Sequence, residues 1–168
     1  MLAAAPGKPF LRCSVQSIRV EMVDETSNMI LREYLTDSRQ SFREVARKTG
    51  VSSGTVASRV KDMEEDGVIK KYTALLDYEK LGFDLTVITE ITVSKGMMMD
   101  VGGEIAEMGQ TIGVYNVTGD SDIMVLAKFR TRSELNNFTK SILKLPYVER
   151  TRTHLVLNTI KEDFGLMP

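Results

Sequence analysis

From Asp24 to Gly67, apolar residues recur every three or four positions; after Leu85 they alternate with polar ones. The first rhythm is that of amphipathic helices and the second that of strands. Met29, Ile30, Leu31, Tyr34 and Leu35 predict a helix over about 24–37, opened by Asp24 and Glu25, which suit the positive end of a helix dipole. Phe42, Val45 and Ala46 form the inward stripe of a second helix, and Gly50 stands where a helix end takes up positive φ. Val51 is an apolar plug, Ser52 or Ser53 can cap a third helix, and Val56, Val60 and Met63 give that helix its inward face. Gly67 breaks it, and 68–76 reads as an extended segment carrying Lys70 and Lys71. A helix pair followed by such a segment is the layout of a winged helix-turn-helix.

The second half predicts a strand over 85–93, a helix over 97–108 weakened by Gly102 and Gly103, and strands over 112–118 and 123–129. A helix over 133–145 follows, with Leu135, Phe138, Ile142 and Leu143 inward and Pro146 as its stop, and then a long strand over 148–160. The order β-α-β-β-α-β is ferredoxin-like, with two helices on one face of an antiparallel sheet. The expected fold is therefore α+β. Residues 22–76 form the winged helix-turn-helix domain, 77–83 a linker, 84–162 the ferredoxin-like domain and 163–168 a tail. Residues 1–21 are an N-terminal extension whose alternative reading is that translation naturally starts at Met22. The uncovered sheet face needs a partner for apolar residues such as Val114 or Val125, and a second copy of the same sheet is the simplest cover.

Composition narrows the classes. The chain has 168 residues, 42% hydrophobic and 27% charged, with a formal net charge of −1. That excludes an all-over basic coat, so nucleic-acid binding has to use a local patch. Such a patch exists: 39–61 holds six Lys or Arg and one acid, Glu44. The single cysteine, Cys13, cannot form an internal disulfide, which fits a reducing compartment and a cytoplasmic location. No stretch reaches the roughly 18 apolar residues of a membrane span, and Pro6, Gly7 and Pro9 interrupt the short apolar start too early for a secretory signal. Met97, Met98 and Met99 run together, but His154 is the only histidine and no spacing suggests a metal site; adaptable packing accounts for them.

A third helix that starts small and polar and turns basic can enter a major groove. Ser53, Thr55, Ser58 and Arg59, with Lys61, are the candidates for its groove face, and Arg59 could make a bidentate contact. Arg39, Arg43, Lys70 and Lys71 suit phosphates, which position a protein without reading sequence.

Asp24-Glu25, Val51-Ser52 with Arg59-Val60, Glu65 with Gly67-Val68-Ile69, and Gly119-Asp120-Ser121-Asp122 occur in that order over about 140 residues. In this the chain resembles the Lrp/AsnC, or feast/famine, regulators. The resemblance implies a double-stranded DNA partner, dimers that assemble further into octamers, no cofactor, and a small-molecule effector, an amino acid. On composition alone, Gly119 to Asp122 is an ordinary polar turn. The resemblance makes it part of the effector pocket, drawing on Asn116, Val117, Thr118, Gly119, Asp120, Ser121 and Asp122. Asn136 and Lys140 on the second helix, and Thr151, Arg152 and Thr153 on the last strand, complete the expected set. Loop N–H groups would hold the carboxylate, Asp120 or Asp122 the ammonium, and Lys140 would favour an acidic or polar side chain over a basic one. Two other readings share the two-domain plan. One is a tetrapyrrole decarboxylase, against which the lone His154 and the lack of a nucleophile–base pair argue. The other is a DNA-architectural protein without a ligand.

Overall fold

The structure, a computed structural model, describes residues 23–168; the expectations for 1–21, for a start at Met22 and for Cys13 lie outside it. The described chain forms two compact units. One ends at Tyr72 and includes Phe164–Pro168, and the other is Thr73–Asp163.

The first unit is three helices, α1 (Glu25–Thr36), α2 (Phe42–Thr49) and α3 (Ser53–Glu65), packed on Ile30, Val45, Ala46, Val56, Val60 and Met63. Their ends follow from side-chain chemistry. Asp24 Oδ1 accepts the Ser27 N–H at 2.8 Å and so caps α1. Ser41 and Glu44 form a reciprocal capping box on α2, and Ser52 Oγ accepts the Thr55 N–H at the start of α3. Gly50 ends α2 at φ 76, in the left-handed region. Phe42 departs from its expected place: it sits at the first position of α2 and is 44% exposed, while Val45 and Ala46 fill the core. Residues 68–76 also differ from expectation. They form no strand ladder among the described residues; Ile69 N–H donates to Met63 O at 2.9 Å. Tyr72 ties the segment down instead. Its hydroxyl donates to Glu64 Oε1 at 2.9 Å and its ring meets Tyr34 edge-on, and burial followed by the Glu64 contacts pushes its pKa up to about 12. At the other end of the chain, Arg32 Nε donates to the Pro168 carbonyl at 3.0 Å.

The second unit runs β1 (Leu85–Val93), α4 (Met98–Ala106), β2 (Thr111–Asn116), β3 (Ile123–Phe129), α5 (Arg132–Ile142) and β4 (Val148–Leu155). The sheet order is β2-β3-β1-β4, all neighbours antiparallel, which is the ferredoxin-like arrangement. The last strand ends at Leu155, not at 160; Leu157 and Ile160 are each 95% exposed. The α5 helix stops at Ile142, ahead of Pro146, and leaves Leu143 exposed. The segment 77–83 lies inside the second unit. Tyr78 and Phe83 stack edge to face, and Lys128 and Arg130 of the same unit lie over their rings at 5.5 and 4.2 Å. Cations are held by such faces through the ring quadrupole.

Val87, Ile91 and Val93 of β1 and Ile123, Val125, Ala127 and Phe129 of β3 face the helices, meeting Val101 and Ile105 of α4 and Phe138 and Ile142 of α5. Val125 is thus in the covered core and Val114 packs against it, so neither lies on the open face as expected. The period of two puts the other set on the open face: Ile88 and Glu90 of β1, Met124 and Leu126 of β3, Tyr115 of β2, and Arg152 and His154 of β4.

A side chain at Gly50 would find nothing within 4 Å, so the only cost of Gly50→Ala is its positive φ. Chemical denaturation of the full chain is expected to show a loss of about 1–2 kcal/mol, with no loss of helix content.

Candidate functional site

Two surfaces carry the chemistry. The first is the outer side of α2 and α3. Val56, Val60 and Met63 point inward, which leaves Ser53, Thr55, Ser58 and Lys61 of α3 exposed. The Thr55 hydroxyl shares a hydrogen bond with Ser52 Oγ at 2.9 Å and so belongs partly to the cap. Lys61 meets Glu65 at 3.5 Å, a pair too exposed to withhold the lysine from a phosphate. Arg43, Lys70 and Lys71 are exposed, and Arg39 pairs with its neighbour Asp37 while remaining 88% exposed. Arg47 lies one turn beyond Arg43 on the same side of α2, and its side chain makes no ion pair among the described residues. Arg47 was not among the expected DNA-contacting residues; its i+4 spacing from Arg43 was the available signal.

Arg59 is the exception. It was expected on the outer face; instead its guanidinium reaches back to α1 and meets Asp24 Oδ2 at 2.7 Å. The reason is helical phase. Arg59 follows Val56 by three and precedes Val60 by one, so it flanks the inward stripe and does not oppose it. Asp24 therefore serves two helices, capping α1 with one oxygen and holding α3 with the other. The Ser27 backbone N–H first and then the Ser27 hydroxyl hold its carboxyl below the ordinary aspartate value; burial opposes them, and Arg59 adds smaller lowering contributions.

The second surface is one end of the open sheet face. Glu90, Thr92, Asp120, Ser121, Arg150 and Arg152 line a cavity of about 210 Å³. Glu90 is its hub. It accepts from Ser121 Oγ at 3.4 Å, meets Arg152 Nη1 at 3.5 Å, and lies 3.0 Å from His154 Nε2. Neither Arg150 nor Asp120 has a side-chain hydrogen bond or ion pair among the described residues, though both face this cavity. The turn is shaped from within. Gly119 sits at φ 124, Val117 N–H donates to Asp122 O, and Asp122 N–H donates to Ile91 O.

Of the twelve expected effector residues, the cavity gathers Asp120, Ser121 and Arg152. Asp122 is spent elsewhere, since its Oδ2 accepts the Val93 N–H at 2.7 Å and pins the turn to β1. Thr151 and Thr153 fall on the helix side of β4, opposite Arg152, because neighbours along a strand face opposite ways; Thr153 Oγ1 lies 3.2 Å from buried Thr89 Oγ1. Asn116 bonds Met99 Sδ on the α4 side, Val117 is half-buried, and Thr118 and Gly119 are exposed on the turn. Asn136 and Lys140 are exposed on α5, which covers the other face of the sheet, so the side-chain preference drawn from Lys140 has no basis in this cavity. Glu90, Thr92 and Arg150 were missed. Glu90 had a signal, as the one charged residue within the strand LTVITEITV.

Comparisons with known proteins agree with both units. A sequence model described as winged helix-turn-helix DNA-binding matches residues 23–70, and one described as Lrp/AsnC ligand binding domain matches 86–166. An uncharacterized HTH-type transcriptional regulator of Pyrococcus abyssi is 42% identical over 147 residues, covering 88% of this chain and all of that one. HTH-type transcriptional regulator FL11 of Pyrococcus horikoshii is 35% identical, covering 86% of this chain and 95% of its own. The crystal structure of the leucine response regulatory protein LrpA of Mycobacterium tuberculosis superposes with a TM-score of 0.77 at 27% identity, over 86% of this chain and 99% of that one.

Because the folded pKa of Asp24 is depressed, the carboxylate's contribution is fully present above the ordinary aspartate range and is lost as pH falls through the depressed value. An acid titration followed by circular dichroism is expected to show Asp24→Asn losing part of the wild-type stability at neutral pH while its dependence on acid becomes shallower.

Proposed function

The chain belongs to the Lrp/AsnC family of DNA-binding transcriptional regulators, and from that premise we propose that a neutral amino acid is its effector, held in the cavity between Arg150 and Asp120. The observation that carries the proposal is a charge balance. Glu90 answers Arg152, which leaves one cation and one anion facing a single space without partners. An α-amino acid supplies the two missing charges, its carboxylate for Arg150 and its ammonium for Asp120, and a neutral side chain adds no third charge for which the cavity has no answer. At about 210 Å³ the space is below the ~300–1,000 Å³ of pockets that take drug-sized ligands, so the ligand is small. The Mycobacterium tuberculosis relative is named for a response to leucine, itself a neutral amino acid.

On DNA, Ser53, Thr55 and Ser58 would meet base edges, and Arg39, Arg43, Arg47, Lys61, Lys70 and Lys71 would meet phosphates. Arg59, tied to Asp24, holds α3 in place and is not a base reader. The assembly we propose is a dimer closed through the open sheet face, where Ile88, Tyr115, Met124 and Leu126 need cover, with further association to an octamer following the family resemblance. A second copy seated there would close over the cavity, so effector binding and assembly would be linked and each would change the other's equilibrium. The expected compartment is the cytoplasm. Among the described residues no helix is long and apolar enough to cross a membrane.

Isothermal titration of the full-length protein with single amino acids tests the effector assignment. Neutral amino acids are expected to bind more tightly than lysine or glutamate, and Arg150→Ala and Asp120→Ala to lose that binding while duplex binding persists. Equal heats for wild type and both variants, or lysine as the tightest ligand, would overturn it.

A further inference from the structure

A groove of about 570 Å³ opens between the starts of α2 and α3, lined by Ser41, Phe42, Arg43, Ser53 and Gly54. Two of these residues have no reason within the fold to be what they are. Phe42 occupies a position that the helical pattern assigns to the core, yet it is 44% exposed on the groove. Gly54 lies in the first turn of α3, where glycine is a poor helix former. Its backbone does not have positive φ, and an added Cβ would meet only Ser52 Oγ, at an ordinary 3.7 Å. The packing therefore does not require a glycine. What the glycine provides is a bare floor beside an exposed aromatic ring.

The groove is continuous with the DNA-binding surface. Ser53 and Gly54 belong to the turn of the third helix that meets base edges in this class of domain. Arg43 stands at the rim, and no carboxylate lines the groove, so the backbone of a duplex can approach it. Only one group in the major groove is apolar, the 5-methyl of thymine, and phenylalanine is one of the side chains that contact it. We propose that Phe42 reads sequence: its ring packs on a thymine methyl group admitted by the absence of a side chain at Gly54. This rests on the DNA-binding function and adds a residue that reads bases from the helix before the recognition helix. Arg43 positions the backbone beside it.

The test uses the full-length protein and a fluorescent duplex that the wild type has itself selected from a random-sequence pool. Each thymine is replaced in turn by deoxyuridine, which removes only the methyl group, and binding is read by anisotropy over a range of salt. In the wild type, one thymine per half-site is expected to show a loss of about fourfold, the worth of one buried methyl-sized group. In Phe42→Ala that position becomes indifferent to the methyl, while the slope of log affinity against log salt stays at the wild-type value because the phosphate contacts remain. Gly54→Ala is expected to melt no lower than wild type and to bind the selected duplex several-fold more weakly. A Phe42→Ala protein with the wild-type uridine profile overturns the proposal. So does a wild type insensitive to every replacement, or a Gly54→Ala protein of unchanged affinity. Failure of the wild type to select any duplex would instead count against sequence-specific binding itself, and the proposal would fall with it.

Discussion

A strand shows alternate residues to opposite faces, and in the second unit only one of those faces has helices on it. The β1 strand makes the constraint acute. It is central, paired to β3 on one side and β4 on the other, and its residues divide cleanly into two sets. Val87, Ile91 and Val93 go under α4 and α5; Ile88 and Glu90 go to the open side. The fold therefore carries two surfaces of different chemistry back to back, one dry and finished, the other half apolar and half charged. The apolar part asks for another protein surface. The charged part, around Glu90, Arg150, Arg152 and Asp120, holds the cavity. A ligand site and an association surface on one face, as proposed, would link ligand to assembly directly. No long-range path through the molecule is required.

The first unit solves a different problem with similar economy. Three short helices leave many terminal N–H groups to satisfy, and Asp24, Ser41 with Glu44, and Ser52 each satisfy some of them. Asp24 also meets Arg59 at 2.7 Å and so links α3 to α1. Of the two cations on α3, Arg59 is therefore turned toward α1, and Lys61 is left on the outer side. On the proposed reading, base contacts would fall to small polar groups, to the exposed ring of Phe42 and to the space over Gly54, and the surrounding cations would supply attraction without sequence preference.

Most of this architecture was legible from periodicity. The inward stripe of α3, the left-handed Gly50 and the bounds of β1 and β3 follow from spacing and turn chemistry alone; in α1 Ile30, Leu31 and Tyr34 pack inward, but Leu35, expected with them, is 45% exposed. What was not legible depended on the face to which a strand residue turns. Arg152 was named together with Thr151 and Thr153, although alternation separates them, and Val125 was assigned to the open face, although its register places it under the helices. Lys140 and Asn136 were carried over by resemblance, but the cavity is built on the sheet face that α5 does not cover. Arg59 shows the same limit in a helix, where a shift of one position along the chain turns a side chain by about 100° and moves it from a groove to an ion pair. The extended segment after α3 carries strand-like residues but forms no ladder, and pattern alone does not report a pairing partner.

The central claim is that the open face of the sheet is an association surface. Sedimentation of the purified chain at micromolar concentration tests it most directly. The claim predicts a species of at least twice the 18.8 kDa chain mass, shifted to lower mass when a charge is placed among Ile88, Met124 and Leu126. A wild-type chain that sediments as a monomer over that range would contradict it.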